Sequence, residues 1–310
     1  MSQTSHERAS LTADTPLVQS RFSLRHHVSV GDERYELVDA GDGRRLERFG
    51  GLLVDRPAPT AEEERRDPAA WTDPDLRFDK YLGWSGPATA DWHAPWISAE
   101  GGLRFELRPT DTGQVGLFPE QAANRAWVAD AVSKLGGGAR VLNLFAYTGA
   151  MTLAAAAAGA SATHVDASRP TVAWARRNAE LSGLADRPVR WIVDDVEAFV
   201  AREQRRKRDY EAVVVDPPSY GHGVRAAGSG WRLEDRLGGL LGRCADVTGD
   251  DPAFVVLTAH TPGFGPNHLA EDLARAFGRF EHEVDAGELG IRARSGAHLR
   301  LGAYARIIRE

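Results

Sequence analysis

The run Val213-Val214-Val215-Asp216-Pro217-Pro218-Ser219-Tyr220-Gly221 ends an apolar segment on one carboxylate backed by two prolines. The prolines fix φ and remove two backbone donors, so the loop offers carbonyls and a carboxylate to a group with N–H to give. Tyr220 adds a ring that can stack on a planar substrate. The blander reading of the same residues is a rigid surface loop. Upstream, Val141-Leu142-Asn143-Leu144-Phe145 breaks into Ala146-Tyr147-Thr148-Gly149. A strand, tight turn and helix start of this kind turns backbone N–H groups toward a ligand, and Gly149 lets it approach without a Cβ in the way. One glycine is not the G-x-G-x-x-G of a dinucleotide site, which disfavours a bound pyrophosphate and a nicotinamide dehydrogenase. Asp166 follows Gly149 by 17 residues, near the ~20 at which an acid accepts ribose hydroxyls. Asp194 and Asp195 close the next apolar run, where a carboxylate can accept from an adenine amine. Each acid taken alone reads as the cap of the helix that follows it; their order along the chain points to a ligand.

Those residues need a frame that delivers strand ends to one edge. From Arg140 onward the pattern alternates, with strands expected at Arg140–Phe145, Ala162–Asp166, Val189–Val193, Ala212–Asp216, Ala253–Thr258, Glu281–Asp285 and Gly302–Ile308. Helices are expected between them, for example at Ala150–Ala158, Pro170–Ser182 and Leu237–Val247, and before them at Gln121–Leu135, stopped by Gly136-Gly137-Gly138. Alternating β and α over this length argues for a doubly wound, mostly parallel sheet of seven strands. Residues 1–30 read as a polar tail and 31–115 as a small β-rich lobe, with a hairpin around Gly41-Asp42-Gly43, a charged connector from Arg56 to Asp75 and a strand at Leu103–Leu107. Residues 116–310 then form the main domain.

Composition narrows the partners. With 310 residues, 42% apolar, the chain can bury a sizeable core. Its single cysteine, Cys244, excludes a disulfide framework, and no metal site is expected. No apolar run reaches the roughly 18 residues of a membrane span, and residues 1–20 lack the apolar core of a signal peptide. A soluble cytoplasmic protein without membrane partners is expected; nothing here sets the oligomeric state. The net charge of −6 arises wholly in residues 1–115, which hold 20 acidic and 14 basic residues, whereas residues 116–310 hold 24 of each. A lobe built to grip phosphates is normally basic.

Taken together, Asn143-Leu144-Phe145-Ala146-Tyr147-Thr148-Gly149, Val165-Asp166-Ala167-Ser168, Asp194-Asp195 and Asp216-Pro217-Pro218-Ser219-Tyr220-Gly221 resemble the successive motifs of class I S-adenosylmethionine-dependent methyltransferases. More narrowly, and with Gly116-Leu117-Phe118-Pro119-Glu120-Gln121, they resemble the branch of large-subunit ribosomal-RNA cytosine-C5 and guanine-N7 methyltransferases. The resemblance covers about residues 35–60 and 100–310. It implies a Rossmann-like methyltransferase fold and S-adenosyl-L-methionine as cofactor. The turn Phe145 to Gly149, with Asn143 before it, would meet the methionine moiety. Asp166, with Ala167 and Ser168, would hold the ribose, and Asp195, beside Asp194, the adenine amine. Phe118 and Gln121 would close one side, while Asp216, Pro217 and Tyr220 would line the acceptor site. Transfer would be a direct displacement, helped mainly by alignment.

Two departures from the branch shape the expected substrate. Cytosine-C5 chemistry needs a cysteine nucleophile after the fifth strand, where this chain reads Leu257-Thr258-Ala259-His260-Thr261-Pro262. Cys244 lies earlier, in a helical stretch, and reads as a packing residue. A nitrogen or oxygen acceptor needs no covalent step, and His260 could take its proton; an exposed histidine without a role is the plain alternative. Second, the acidic lobe stands where related enzymes carry an RNA-binding module. Its Trp71, Trp84, Trp92 and Trp96 could stack on bases or fill a core. Arg202 to Arg208 reads as a solvated helix end, leaving Arg292, Arg294 and Arg300 as the better phosphate candidates. The expected activity is methylation of a nucleobase nitrogen in RNA, with a small-molecule or protein acceptor as the alternative and a non-catalytic cofactor-binding module as the third reading.

Overall fold

The computed structural model describes residues 35–89, 96–221, 231–249, 252–278 and 283–309. Asp42 and Gly43 both take positive φ, 54° and 71°, the twist that a two-residue hairpin demands. They join β1 (Tyr35–Gly41) to β2 (Arg44–Phe49), and β3 (Leu52–Pro57), β4 (Leu76–Asp79) and β5 (Gly83–Ser85) complete a five-stranded sheet in that order. The connector between β3 and β4 holds a short 3-10 turn at Pro68–Trp71. A separate hairpin, β6 (Trp96–Glu100) with β7 (Leu103–Leu107), follows.

The main sheet comprises β8 (Arg140–Leu144), β9 (Ser161–Asp166), β10 (Val189–Val193), β11 (Ala212–Val215), β14 (Phe254–Ala259), β15 (Val284–Arg292) and β16 (His298–Ile308); the two-residue strands β12 (Tyr220–Gly221) and β13 (Trp231–Arg232) pair with each other outside it. Its order is β10-β9-β8-β11-β14-β16-β15, and every neighbouring pair through β14 is parallel, with β16 running antiparallel to both its neighbours. The final hairpin is longer than the sequence pattern predicts, and residues 281–282 of the expected strand lie outside the described residues. β11 shows why the sheet must be covered twice: Val213 and Val215 join one buried cluster and Ala212 and Val214 another. On the first face lie α4 (Val196–Arg205), α5 (Leu233–Val247) and α6 (Pro266–Phe277); on the second, α1 (Ala122–Lys134) and α2 (Ala150–Ala157), with α3 (Arg169–Leu181) reaching the β6–β7 hairpin.

The N-terminal sheet shares its core with the rest of the chain. Phe49, Val54 and Leu76 bury against Phe105, Leu117, Leu153 and Ala179. The β15–β16 turn reaches it from the far side: Arg294 N–H donates to the Leu37 carbonyl at 2.8 Å and Ser295 Oγ to Asp39 Oδ1 at 2.6 Å. Trp71 is buried, its Nε1 donating to Asp39 Oδ2 at 2.9 Å, and Trp84 donates to the Thr110 carbonyl at 2.8 Å. Both therefore hold the lobe together; Trp92 and the Trp96 side chain lie outside the described residues.

Candidate active site

The strand order reverses between β8 and β11, and at such a switch point the chain leaves a crevice beyond the strand ends. Leu144 pairs with Val215 across that junction, so Phe145 and Asp216 emerge side by side. The strand stops at Phe145 because Phe145 and Tyr147 take φ of 54° and 49°, a conformation costly for aromatic residues. The turn is held from all sides. Ala146 N–H donates to the Val165 carbonyl at 3.0 Å, Tyr147 N–H to Asp166 Oδ2 at 3.0 Å, Thr148 Oγ1 to the Gly116 carbonyl at 2.6 Å, and Asn178 Nδ2 to the Thr148 carbonyl at 2.9 Å.

Gly149 has a structural job as well as a place in the turn. At φ 86° it caps α2, and a Cβ there would come within 2.9 Å of the Ala175 Cβ on α3. Its lack of a side chain lets α2 and α3 pack closely. Asn143 is likewise turned inward: 2% exposed, it donates to Thr152 Oγ1 at 2.8 Å beneath the turn. Asp166 ends β9 beside the turn, its Oδ1 accepting from Ser168 N–H at 2.9 Å. Burial raises its pKa, while the two N–H bonds from Ser168 and Tyr147 pull the other way. Ser168, past Ala167, caps α3 by accepting from Thr171 N–H. Asp195 caps α4 by accepting from Ala198 N–H at 2.9 Å, and Asp194 ion-pairs with Arg202. Helix capping and a place at the strand end thus coexist in Asp195.

Around Asp216 the structure assembles four side chains from distant segments. Thr258 Oγ1 donates to Oδ1, and Gln121 Nε2 lies 3.4 Å from Oδ2 and 3.4 Å from His260 Nε2. The amide of Gln121 is oriented by Asn124, which donates to its Oε1 at 2.8 Å. His260 Nδ1 lies 2.9 Å from the Leu301 carbonyl, so Nδ1 carries hydrogen and Nε2 faces Asp216 Oδ1 at 3.6 Å. Burial pushes the imidazole pKa down, but Asp216 and Glu120 outweigh it and hold it above its ordinary value. Phe118 stacks on His260 at 5.9 Å between centroids and leans on Tyr147 at 5.2 Å, joining this cluster to the turn. Pro217 is buried; Tyr220 pairs through its backbone with Arg232, and its ring lies outside the described residues.

Several residues at this edge carry no motif of their own. Trp231 packs on Phe145 at 5.0 Å and donates to the Pro218 carbonyl at 2.8 Å, using one of the carbonyls the proline loop offered. Glu120 is 6% exposed, with Oε1 3.9 Å from His260 Nδ1. Its position inside Phe118-Pro119-Glu120-Gln121 was the only available signal. Arg45, from the lobe, was not distinguishable from surface arginines, yet it is 6% exposed and faces Glu47 at 3.4 Å. Conversely, Arg294 pairs with Glu36 on β1 and Arg300 with Glu288 on β15, so both have carboxylate partners within the protein. Cys244 is fully buried in α5, and burial pushes its thiol up to about 12, so it holds no thiolate at neutral pH. Among the described residues no His, Cys, Asp or Glu cluster could hold a metal, and no helix is long and apolar enough to cross a membrane.

A family model for S-adenosylmethionine-dependent methyltransferases matches residues 76–286. The chain belongs to that family. The methyltransferase resembles a crystal structure of the S-adenosylmethionine-dependent methyltransferase from Agrobacterium tumefaciens over 91% of its own length and 92% of that chain, at TM-score 0.82 and 34% identity. A structure from Streptococcus mutans shares the fold at TM-score 0.71 and 17% identity, over 91% and 76%. Among curated relatives, a ribosomal RNA large subunit methyltransferase K/L from Shewanella frigidimarina is 34% identical over 150 residues, and one from Pseudomonas paraeruginosa 37% over 130. Those matches take in 47% and 42% of this chain but only 20% and 17% of the relatives. S-adenosylmethionine is the cofactor of the methyltransferase. The crevice suits it: a half-buried acid beside a turn at the switch point, and a Tyr147 hydroxyl buried without a hydrogen-bond partner.

Proposed function

We propose that the methyltransferase modifies a nucleobase nitrogen in RNA, without a cysteine nucleophile. The observation that carries this reading is the Asp216–Gln121–His260 cluster at the switch point, with the single thiol buried elsewhere. Bound S-adenosylmethionine supplies an electrophilic methyl group. Asp166 is assigned to the ribose, Asp195 to the adenine edge, and the turn from Phe145 to Gly149 to the methionine end. Asp216 accepts from the acceptor's N–H and orients it, Gln121 keeps that carboxylate in place, and His260 Nε2 receives the proton released on transfer. Pro217 and Phe118 wall the crevice. The 31–115 lobe, on this reading, covers the cleft that residues 116–310 build. The curated relatives named as ribosomal RNA methyltransferases favour RNA as the acceptor. The acidic excess of residues 1–115 favours a second reading, a small-molecule or protein acceptor.

Transfer of labelled methyl from S-adenosylmethionine to extract of a deletion strain, fractionated into RNA, protein and small molecules, separates the two. Label in RNA supports the first reading, and label confined to the other fractions sinks it. A role for His260 as base also fixes a pH dependence. The base must be neutral, and its pKa is raised, so kcat should climb with pH along an acid limb centred above about 6.5. His260→Gln should remove that limb. A wild-type profile flat from pH 6 to 8 would dismiss the assignment.

A further inference from the structure

Strand β2 sends Arg45, Glu47 and Phe49 to the face that packs on the main domain, and β3 adds Arg56 opposite Arg45. Placing two arginines and an acid inside an interface is costly unless their bonds are made. For Arg56 they are: Nε donates to Glu47 Oε2 at 2.7 Å and Nη1 to the Gly113 carbonyl at 3.1 Å. Glu47 is also taken, its other oxygen accepting from Tyr35 at 3.1 Å. Arg45 is left with an ion-pair contact to Glu47 at 3.4 Å and no hydrogen bond from Nε. Across the interface, Glu120 Oε2 is buried with no partner, and so is the Tyr147 hydroxyl on the turn. Arg45, Glu120 and Tyr147 supply three of the eight such atoms among the described residues, whereas Arg56 Nη2 has Glu47 Oε2 at 2.6 Å. No ion pair joins Arg45 to Glu120 among the described residues, although the Glu120 carboxylate, after that of Glu47, helps hold the Arg45 guanidinium above its ordinary pKa against burial.

The unmatched charged groups are one cation, Arg45, and one anion, Glu120. A simple anion brought here would meet Glu120, and a simple cation would meet Arg45; a zwitterion satisfies both. The methionine end of the cofactor is such a group, with an α-carboxylate and an α-ammonium on one carbon. We propose that Arg45 and Glu120 hold that end, the guanidinium taking the carboxylate and the Glu120 carboxylate taking the ammonium. The lobe thereby becomes part of the cofactor site. The assignment rests on the reading that the Phe145–Gly149 turn faces the methionine end.

Calorimetry on the full chain with three ligands tests it. S-adenosylhomocysteine carries both charged groups, its decarboxylated analogue only the ammonium, and 5′-methylthioadenosine neither. Arg45→Met should weaken S-adenosylhomocysteine by about 10- to 100-fold, the range of a lost charged hydrogen bond. It should leave the other two ligands within about 2-fold. Glu120→Gln should weaken both ammonium-bearing ligands and spare 5′-methylthioadenosine. Equal loss across all three ligands, or no loss in any, would overturn the proposal and leave the cluster as interface packing. Should Arg45→Met not fold, Arg45→Lys keeps the charge beside Glu47 but loses the planar fork. It must then still weaken S-adenosylhomocysteine selectively, or the proposal fails. Asp166→Ala is the control: it should weaken all three ligands through the ribose. If it spares them, the reading of the crevice is wrong, whatever Arg45 does.

Discussion

Asp216→Ala should lower kcat by about 100-fold or more while changing the Kd for S-adenosylhomocysteine by less than about 3-fold. The carboxylate stands at the end of β11, one step across the switch point from Phe145. Thr258 donates to Oδ1 and Gln121 Nε2 approaches Oδ2. An ionised carboxylate has about four lone-pair positions, so acceptor capacity remains for an incoming N–H. That hydrogen bond would exist only once the acceptor is seated, which is why the loss should fall on turnover. Asp216→Asn refines the test. It keeps the shape, but its NH2 group must be satisfied beside two donors, so turnover should fall nearly as far. Single-turnover rates alongside calorimetry would show it. Comparable losses in rate and cofactor affinity would move Asp216 to the cofactor side of the crevice.

Glu47→Ala should destabilise the fold by about 3–5 kcal/mol, the cost of stranding a buried charge. Glu47 is fully buried, and it binds Arg56 through Nε and Tyr35 through the hydroxyl while facing Arg45. Its removal leaves two arginines, 6% and 1% exposed, without their counter-charge. For a protein of this size such a loss corresponds to a fall in Tm on the order of 10 °C. Glu47→Gln, which keeps an acceptor but not the charge, should lose less. Differential scanning calorimetry of both variants decides the matter: a drop of under about 2 °C for Glu47→Ala would mean that water relieves the cluster and that it is no keystone of the interface.

Both predictions turn on residues that the sequence treated very unequally. Asp216 was legible because two prolines after an apolar run are rare and mechanically specific. The same holds for the alternation that fixed the seven-stranded sheet: residues buried on both faces, as in Val213 to Val215, must be continuously apolar, and this shows in one dimension. Asp166 was legible by its distance from the turn. Gly149 was identified by type, but its part in the packing of α2 on α3 was not legible, since that is a contact between segments that spacing does not report. Asn143 was singled out by its place in a motif, and only the tertiary structure shows that its Nδ2 donates to Thr152 inside the fold.

Sequence alone therefore determined the strand-to-helix order, the carboxylates at the strand ends and the presence of a single cysteine, because each follows from local periodicity, turn chemistry or composition. Tertiary structure alone decided that Gln121 bridges Asp216 and His260, 95 and 139 residues away, that Arg294 pairs with Glu36 of the lobe and Arg300 with Glu288, and that Arg45 of the lobe is buried within electrostatic reach of Glu120. Burial and pairing of a charged side chain depend on which surfaces meet, and a charged residue in a chain carries no mark of whether its partner is water, a neighbouring strand or a ligand.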